Sequence, residues 1–146
     1  MRIADVLRNK GAGGVLTIAP DTLVGDLISG LVGRNVGAMV VVGPEGLIGI
    51  VSERDVVRML HEHGAGALGR RVADIMTSDV ITCAPEDSVD GLTVLMTTHR
   101  VRHVPVVEDG RLAGIVSIGD VVKTRMEQLQ AEREQLEAYI TQGVRA

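Results

Sequence analysis

The chain has 146 residues, 45% apolar and 23% charged, with a net charge of −4 and one aromatic residue, Tyr139. That length suits one compact domain or two small halves sharing an aliphatic core. The acidic balance and the want of stacking platforms argue against direct nucleic-acid binding. No apolar run approaches the roughly 18 residues of a membrane span. The opening Met1-Arg2-Ile3-Ala4-Asp5 carries no signal-peptide core. Cys83, the lone cysteine, permits no internal disulfide, and a cytoplasmic location is expected.

In chain order, a short helical turn is expected around Ala4-Asp5-Val6-Leu7, followed by a Gly-rich loop, Arg8 to Gly14. A short strand follows at Val15 to Ile18. A helix comes after Asp21, with Leu23, Val24, Leu27, Ile28 and Leu31 at helical spacing. Val36 to Val42 and Leu47 to Val51 predict a hairpin closed by Gly43-Pro44-Glu45-Gly46, and Ser52 starts the next helix. His61 to Arg71, rich in Gly and Ala, is a linker. The same series then recurs. Val72 to Met76 predicts a helical turn and Val80-Ile81-Thr82 a strand. Glu86-Asp87-Ser88 caps a helix carrying Val89, Leu92, Leu95 and Met96. Val101 to Val107 and Leu112 to Val116 form a second hairpin about Glu108-Asp109-Gly110-Arg111. From Lys123 to Tyr139 the chain is charged and free of Gly and Pro. Met126, Leu129, Leu136 and Ile140 fall on one helical stripe interrupted by Arg133. That stripe suits either a helix laid on its own domain or a dimer contact.

The recurrence is a duplication. Gly49-Ile50-Val51-Ser52-Glu53-Arg54-Asp55 returns 65 residues later as Gly114-Ile115-Val116-Ser117-Ile118-Gly119-Asp120, each copy running on into two valines. The same shift places Val15-Leu16-Thr17-Ile18-Ala19-Pro20 on Val80-Ile81-Thr82-Cys83-Ala84-Pro85. Upstream, Ala4-Asp5-Val6-Leu7 matches Ala73-Asp74-Ile75-Met76 at an offset of 69, so the first copy carries about four extra residues in the Arg8–Gly14 loop. A repeat of this kind is one supersecondary unit used twice, and any pocket in one copy has a twin.

Read from the residues alone, Ser-x-x-Asp at Ser52–Asp55 and Ser117–Asp120 is a capping-box signature. It also puts a hydroxyl and a carboxylate where a strand becomes a helix, and free N–H groups at a helix start favour phosphate. Both roles can coexist. Gly49 and Gly114 allow a ligand or backbone to come close to a strand.

Two α-β units, each closing on Gly-hydrophobic-x-Ser-x-x-Asp after a paired-valine hairpin, resemble a tandem pair of cystathionine-β-synthase (CBS) domains, as in small stand-alone bacterial CBS-pair proteins. The resemblance covers about Met1 to Thr124. It implies an α/β (α+β) fold of two pseudo-two-fold-related repeats, each a small sheet with packed helices. The expected division is 1–65, 66–124, and a C-terminal helix and tail at 125–146. It further implies a non-catalytic regulatory module. Adenosine-containing nucleotides (AMP, ADP, ATP, NAD or S-adenosylmethionine) would bind in clefts between the repeats and signal to an effector protein, often from a homodimer. The alternative is an interaction dimer whose clefts are vestigial.

On that resemblance Asp55 and Asp120 take ribose hydroxyls, since a carboxylate accepts from two neighbouring hydroxyls at once. Ser52 and Ser117 sit beside phosphate. Thr17 and Thr82 border the clefts, with backbone near Ile18 and Cys83 facing adenine; filling of strand and core positions is the plainer role for these residues. Val36 and Gly37 occupy one strand start and Arg100, Arg102 and His103 the other. The basic cluster of the second copy suits phosphate, or is simply a solvated edge. Arg54 follows the first serine, and Lys10 either folds over a phosphate or is a surface lysine. Two unequal clefts are expected.

Other signals carry less. Gly11-Ala12-Gly13-Gly14 lacks the strand and glycine spacing of a dinucleotide fingerprint, and no phosphate-binding Gly-x-x-x-x-Gly-Lys-Ser/Thr loop occurs. His61 and His63, two apart, do not share a helix face, and His99 and His103 straddle a loop and a strand. No catalytic set or metal site is expected.

Overall fold

The computed structural model describes residues 1–11 and 15–145; Ala12, Gly13 and Gly14 of the inserted loop lie outside them. In the first copy α1 (Ile3–Asn9) is followed by β1 (Thr17–Ile18), α2 (Val24–Arg34), β2 (Ala38–Gly43), β3 (Gly46–Ser52) and α3 (Glu53–His63). A 3-10 helix (Gly64–Gly69) links the copies. The second comprises α4 (Val72–Ile75), α5 (Val89–His99), β4 (His103–Glu108), β5 (Arg111–Ser117) and α6 (Ile118–Arg145). One sheet has the order β1-β2-β3, with β1 parallel to β2 and β2 antiparallel to β3; the other is the β4-β5 hairpin. A bulge falls at Val41/Val42 and again, 65 residues on, at Val106/Val107.

The copies differ where the sequence predicts a strand at Val80–Thr82. Only a bridge between Cys83 and Val106 forms there. In the first copy Val40 N–H donates to the Leu16 carbonyl (3.3 Å), and its counterpart in the second is Pro105, which has no N–H to give. Pairing resumes one residue later, with Cys83 N–H donating to Pro105 O (3.0 Å) and Val107 N–H to Cys83 O (2.8 Å).

Each copy's leading helix is packed on the other copy. Ile3 and Val6 of α1 are buried with Val89, Leu92, Met96, Val104, Val106 and Val116 of the second half. Val72 and Ile75 of α4 are buried with Val24, Leu27, Met39, Val41 and Val51 of the first. The backbone bonds that seat them are equivalent. Ile3 N–H donates to Asp87 O (2.9 Å) and Ala4 N–H to Pro85 O (2.9 Å), just as Val72 N–H donates to Thr22 O (2.8 Å) and Ala73 N–H to Pro20 O (2.9 Å). The expected division at residue 65 therefore follows the chain, while the two cores exchange α1 and α4. The two glycines expected to permit close approach serve this crossing. A Cβ on Gly49 would stand 2.6 Å from Met76 Sδ and one on Gly114 2.7 Å from Leu7 Cδ2.

α6 continues the second copy's last helix without a break into the tail. Thr124 is buried and Arg125 pairs with Asp90 of α5, but every described side chain from Leu129 to Gly143 is exposed. The apolar stripe is not covered by its own domain.

Candidate functional site

β3 passes into α3 at Ser52, whose extended backbone (φ −125°, ψ 168°) makes it the N-cap. Its Oγ accepts from Asp55 N–H (3.4 Å), and Asp55 Oδ2 accepts from Ser52 N–H (2.8 Å) and Ser52 Oγ (3.0 Å). This is the reciprocal capping box the sequence predicts. It orders Asp55 on the first turn of α3, half-buried at the edge of a cavity of about 390 Å³.

Both copies wall this cavity. The first contributes Gly37 and Ala38 at the start of β2, Ile50 of β3, and Ser52, Glu53, Arg54, Asp55 and Arg58 around the start of α3, the Glu53 carboxylate opposing the arginines for an anion. The second contributes Thr77, Asp79, Val80 and Ile81 after α4, and Arg100 to His103 before and at the start of β4. Thr77 is held by paired bonds across the free edge of β3, Ile50 N–H to Thr77 O and Thr77 N–H to Ile50 O (2.9 Å each). Gly37 meets His103 at the junction of the halves: a Cβ there would stand 3.2 Å from His103 Cε1, close enough that the ring would have to shift by a few tenths of an ångström. Burial holds the His103 imidazole below its ordinary value, Asp120 raising it and Lys10 lowering it. Arginines on two sides with apolar Ala38, Ile50, Val80 and Ile81 between them make a site for a flat apolar group joined to an anion.

Of the residues singled out in the sequence, Gly37, Ser52, Arg54, Asp55, Arg100, Arg102 and His103 share this cavity. Thr17, Ile18, Val36, Thr82 and Cys83 line neither of the two cavities described here. Val36 and Ile18 pack against the first core. Thr17 and Thr82 are exposed. Cys83 is part of the second core, its thiol directed at Pro105 O (3.7 Å) and pushed up to about 12 by burial, with Asp87 adding to the effect. Sequence reasoning missed Arg58, Thr77, Asp79, Val80 and Ile81. Arg58 lies one turn beyond Arg54, a spacing that places both on one face of α3; nothing in the sequence flags Thr77 or Asp79.

The twin of this site is different. Ser117 and Asp120 repeat the capping box, with Asp120 N–H donating to Ser117 Oγ (3.1 Å) and Ser117 N–H to Asp120 Oδ2 (2.9 Å). Here, however, Lys10 Nζ lies 2.8 Å from Asp120 Oδ2 and donates to Ile115 O (2.8 Å). Burial alone would raise the Asp120 carboxyl, but the hydrogen bonds from Lys10 and Ser117 outweigh it and hold it below the usual carboxylate range. The cavity at Asp120 is about 220 Å³, bounded by Val6, Asn9, Lys10, Lys123, Thr124 and Glu127. Lys10 is thus not a free surface lysine, and it does not line the larger cleft, although its charge is felt at His103 there.

Among the described residues no group of three His, Cys, Asp or Glu side chains could hold a metal ion, and no helix is long and apolar enough to cross a membrane.

The comparisons with known proteins agree with this architecture. A family model for the CBS domain matches twice, at residues 4–62 and 72–127. The chain is 40% identical over 149 residues to the mitochondrial CBS domain-containing protein CBSX3 of Arabidopsis thaliana, covering 97% of this chain and 72% of that one. The crystal structure of the CBS-domain protein ATU1752 from Agrobacterium tumefaciens superposes with a TM-score of 0.81 at 42% identity, over 85% of this chain and 92% of that one. The CBS domain protein PAE2072 of Pyrobaculum aerophilum, solved in complex with AMP, gives 0.72 at 27% identity, over 82% and 89%. With both copies matched and the fold shared, this chain belongs to the CBS-domain family, as a tandem pair.

Proposed function

We propose that the chain is a regulatory module, not an enzyme, that binds an adenine nucleotide (AMP, ADP, ATP or NAD) in the cleft at Asp55 and reports its occupancy to a partner protein. The observation that carries this reading is one cavity in which a capping carboxylate, Asp55, meets arginines from both copies, Arg54 and Arg58 on α3 and Arg100 and Arg102 before β4. Among the described residues Asp55 meets only Ser52, through Oδ2; its Oδ1 is left for vicinal ribose hydroxyls, and, unlike Asp120, it carries no lysine against its charge. The arginines suit the phosphate, and Val80 and Ile81 offer an apolar face to adenine. The AMP complex of PAE2072 supports the ligand class. A ligand held by groups of both copies favours whichever arrangement of the halves brings those groups together, and that differential affinity is what a sensor requires. The free stripe of α6 supports a homodimer as the signalling unit. A reducing compartment such as the cytoplasm suits the buried free thiol of Cys83.

Calorimetric titration with AMP tests the reading. Asp55→Asn keeps a capping side chain but removes the charge, so AMP affinity is expected to fall at least about tenfold with little change in melting temperature. Wild-type protein that shows neither heat nor thermal shift with AMP, ADP, ATP or NAD overturns the nucleotide assignment.

A further inference from the structure

Duplication would make the two clefts equal; the copies differ in their arginines, and one lysine adds a further difference. At the offset of 69 that aligns the leading helices, Lys10 stands where the second copy has Asp79. α4 ends at Ile75 and the chain beyond it pairs Thr77 with the free edge of β3 at Ile50. α1 instead continues to Asn9, and the corresponding edge group on β5, the Ile115 carbonyl, accepts from the Lys10 ammonium. The same ammonium rests on Asp120 Oδ2 at 2.8 Å. The longer leading helix of the first copy thus exchanges a backbone pairing for a cation delivered to the acidic group of the second cleft.

We infer that Lys10 is an internal stopper: by holding the carboxylate equivalent to Asp55, it closes the second cleft to nucleosides, so that each chain takes one nucleotide, at Asp55, and Lys10 decides that number. The inference rests on the nucleotide reading above. The ammonium sits on Asp120 Oδ2 and offsets the negative charge of the carboxylate, so a ribose hydroxyl approaching Asp120 meets a weaker acceptor than it does at Asp55. Asp120 is 21% exposed and Lys10 36%, so the carboxylate side of the pair is sheltered while water reaches the ammonium and screens part of its strength.

Native mass spectrometry and calorimetry with AMP test it on wild type, Lys10→Met and the double variant Lys10→Met/Asp120→Asn. Methionine keeps the length of the side chain and removes its charge. Wild type is expected to bind one AMP per chain and Lys10→Met two, the new site binding at least about tenfold more tightly than any second site of the wild type. The double variant is expected to return to one. A Lys10→Met protein that still takes one AMP overturns the inference, as does a wild type that takes two and loses one on Asp120→Asn. A reading without ligand separates the layers. By NMR, the Asp120 carboxyl should titrate at higher pH in Lys10→Met than in wild type; identical titration overturns the stopper whatever AMP does. If AMP binds neither protein, the nucleotide reading falls, and the one-site count with it, even where the Asp120 titration shows the lysine contact to be real.

Discussion

Arg100 closes α5 in the left-handed conformation, φ 55°, ψ 41°. Its counterpart at the end of α2, Asn35, has nearly the same angles, φ 52°, ψ 48°. Asparagine is at home there and arginine is not, because a Cβ bearing a long side chain crowds the carbonyl in that region. A residue held in an unfavourable conformation at the wall of a cavity is usually held for what its side chain does. Arg100→Asn is therefore expected to raise stability by about 0.5–1 kcal/mol in a denaturant titration while weakening AMP binding several-fold. Unchanged affinity would make Arg100 a solvated edge residue. Much at this scale was legible in advance. The basic character of Arg100, Arg102 and His103 against Asn35, Gly37 and Ala38, and the pairing of Ser52 with Asp55, come from residue type and spacing. The Lys10 contact was not legible, since it joins positions 105 residues apart and the repeat partner of Lys10 is an acid, Asp79, that makes no such contact among the described residues.

Helices and strands followed the repeat wherever both copies offered the same backbone chemistry. They parted at Pro105, where one missing donor reduces a two-residue strand to a bridge. That difference could have been anticipated from Val40 aligning with a proline. α6 is a harder case, because the same stripe suits packing inward or outward. With 28 residues the helix is about 42 Å long, and among the described residues its side chains from Leu129 to Gln142 are exposed. A single helix in water is marginal. Val122, Met126, Leu129, Leu136 and Ile140 sit at heptad spacing with Arg133 at the remaining seam position, and Leu129 and Leu136 are 62% and 63% exposed. Pairing with a second copy would cover them. Leu136→Glu is expected to convert dimer to monomer in sedimentation and to reduce helical circular dichroism. A sedimentation mass that does not change would place the natural contact elsewhere.

At the scale of the whole molecule the exchange of α1 and α4 decides how it unfolds. Neither half owns a complete core: Ile3 and Val6 complete the second, Val72 and Ile75 the first. Ile3→Ala should remove about 3 kcal/mol, a fall of roughly 10 °C in melting temperature, and Val72→Ala should lower the same single calorimetric transition. Two separated peaks in either variant would show that the halves fold independently. The crossing itself was not visible in the sequence, because neighbours along the chain read as neighbours in space, although the small residues at Gly49 and Gly114 marked where something had to pass. The exchange also bears on how the grooves could come to differ. Two identical short chains, each lending its first helix to the other, would build the same body, but any substitution would then appear on both sides of the axis at once. Tethering the copies in a single polypeptide removes that constraint, so a lysine can be inserted against Asp120 while Asp55 keeps its groove open.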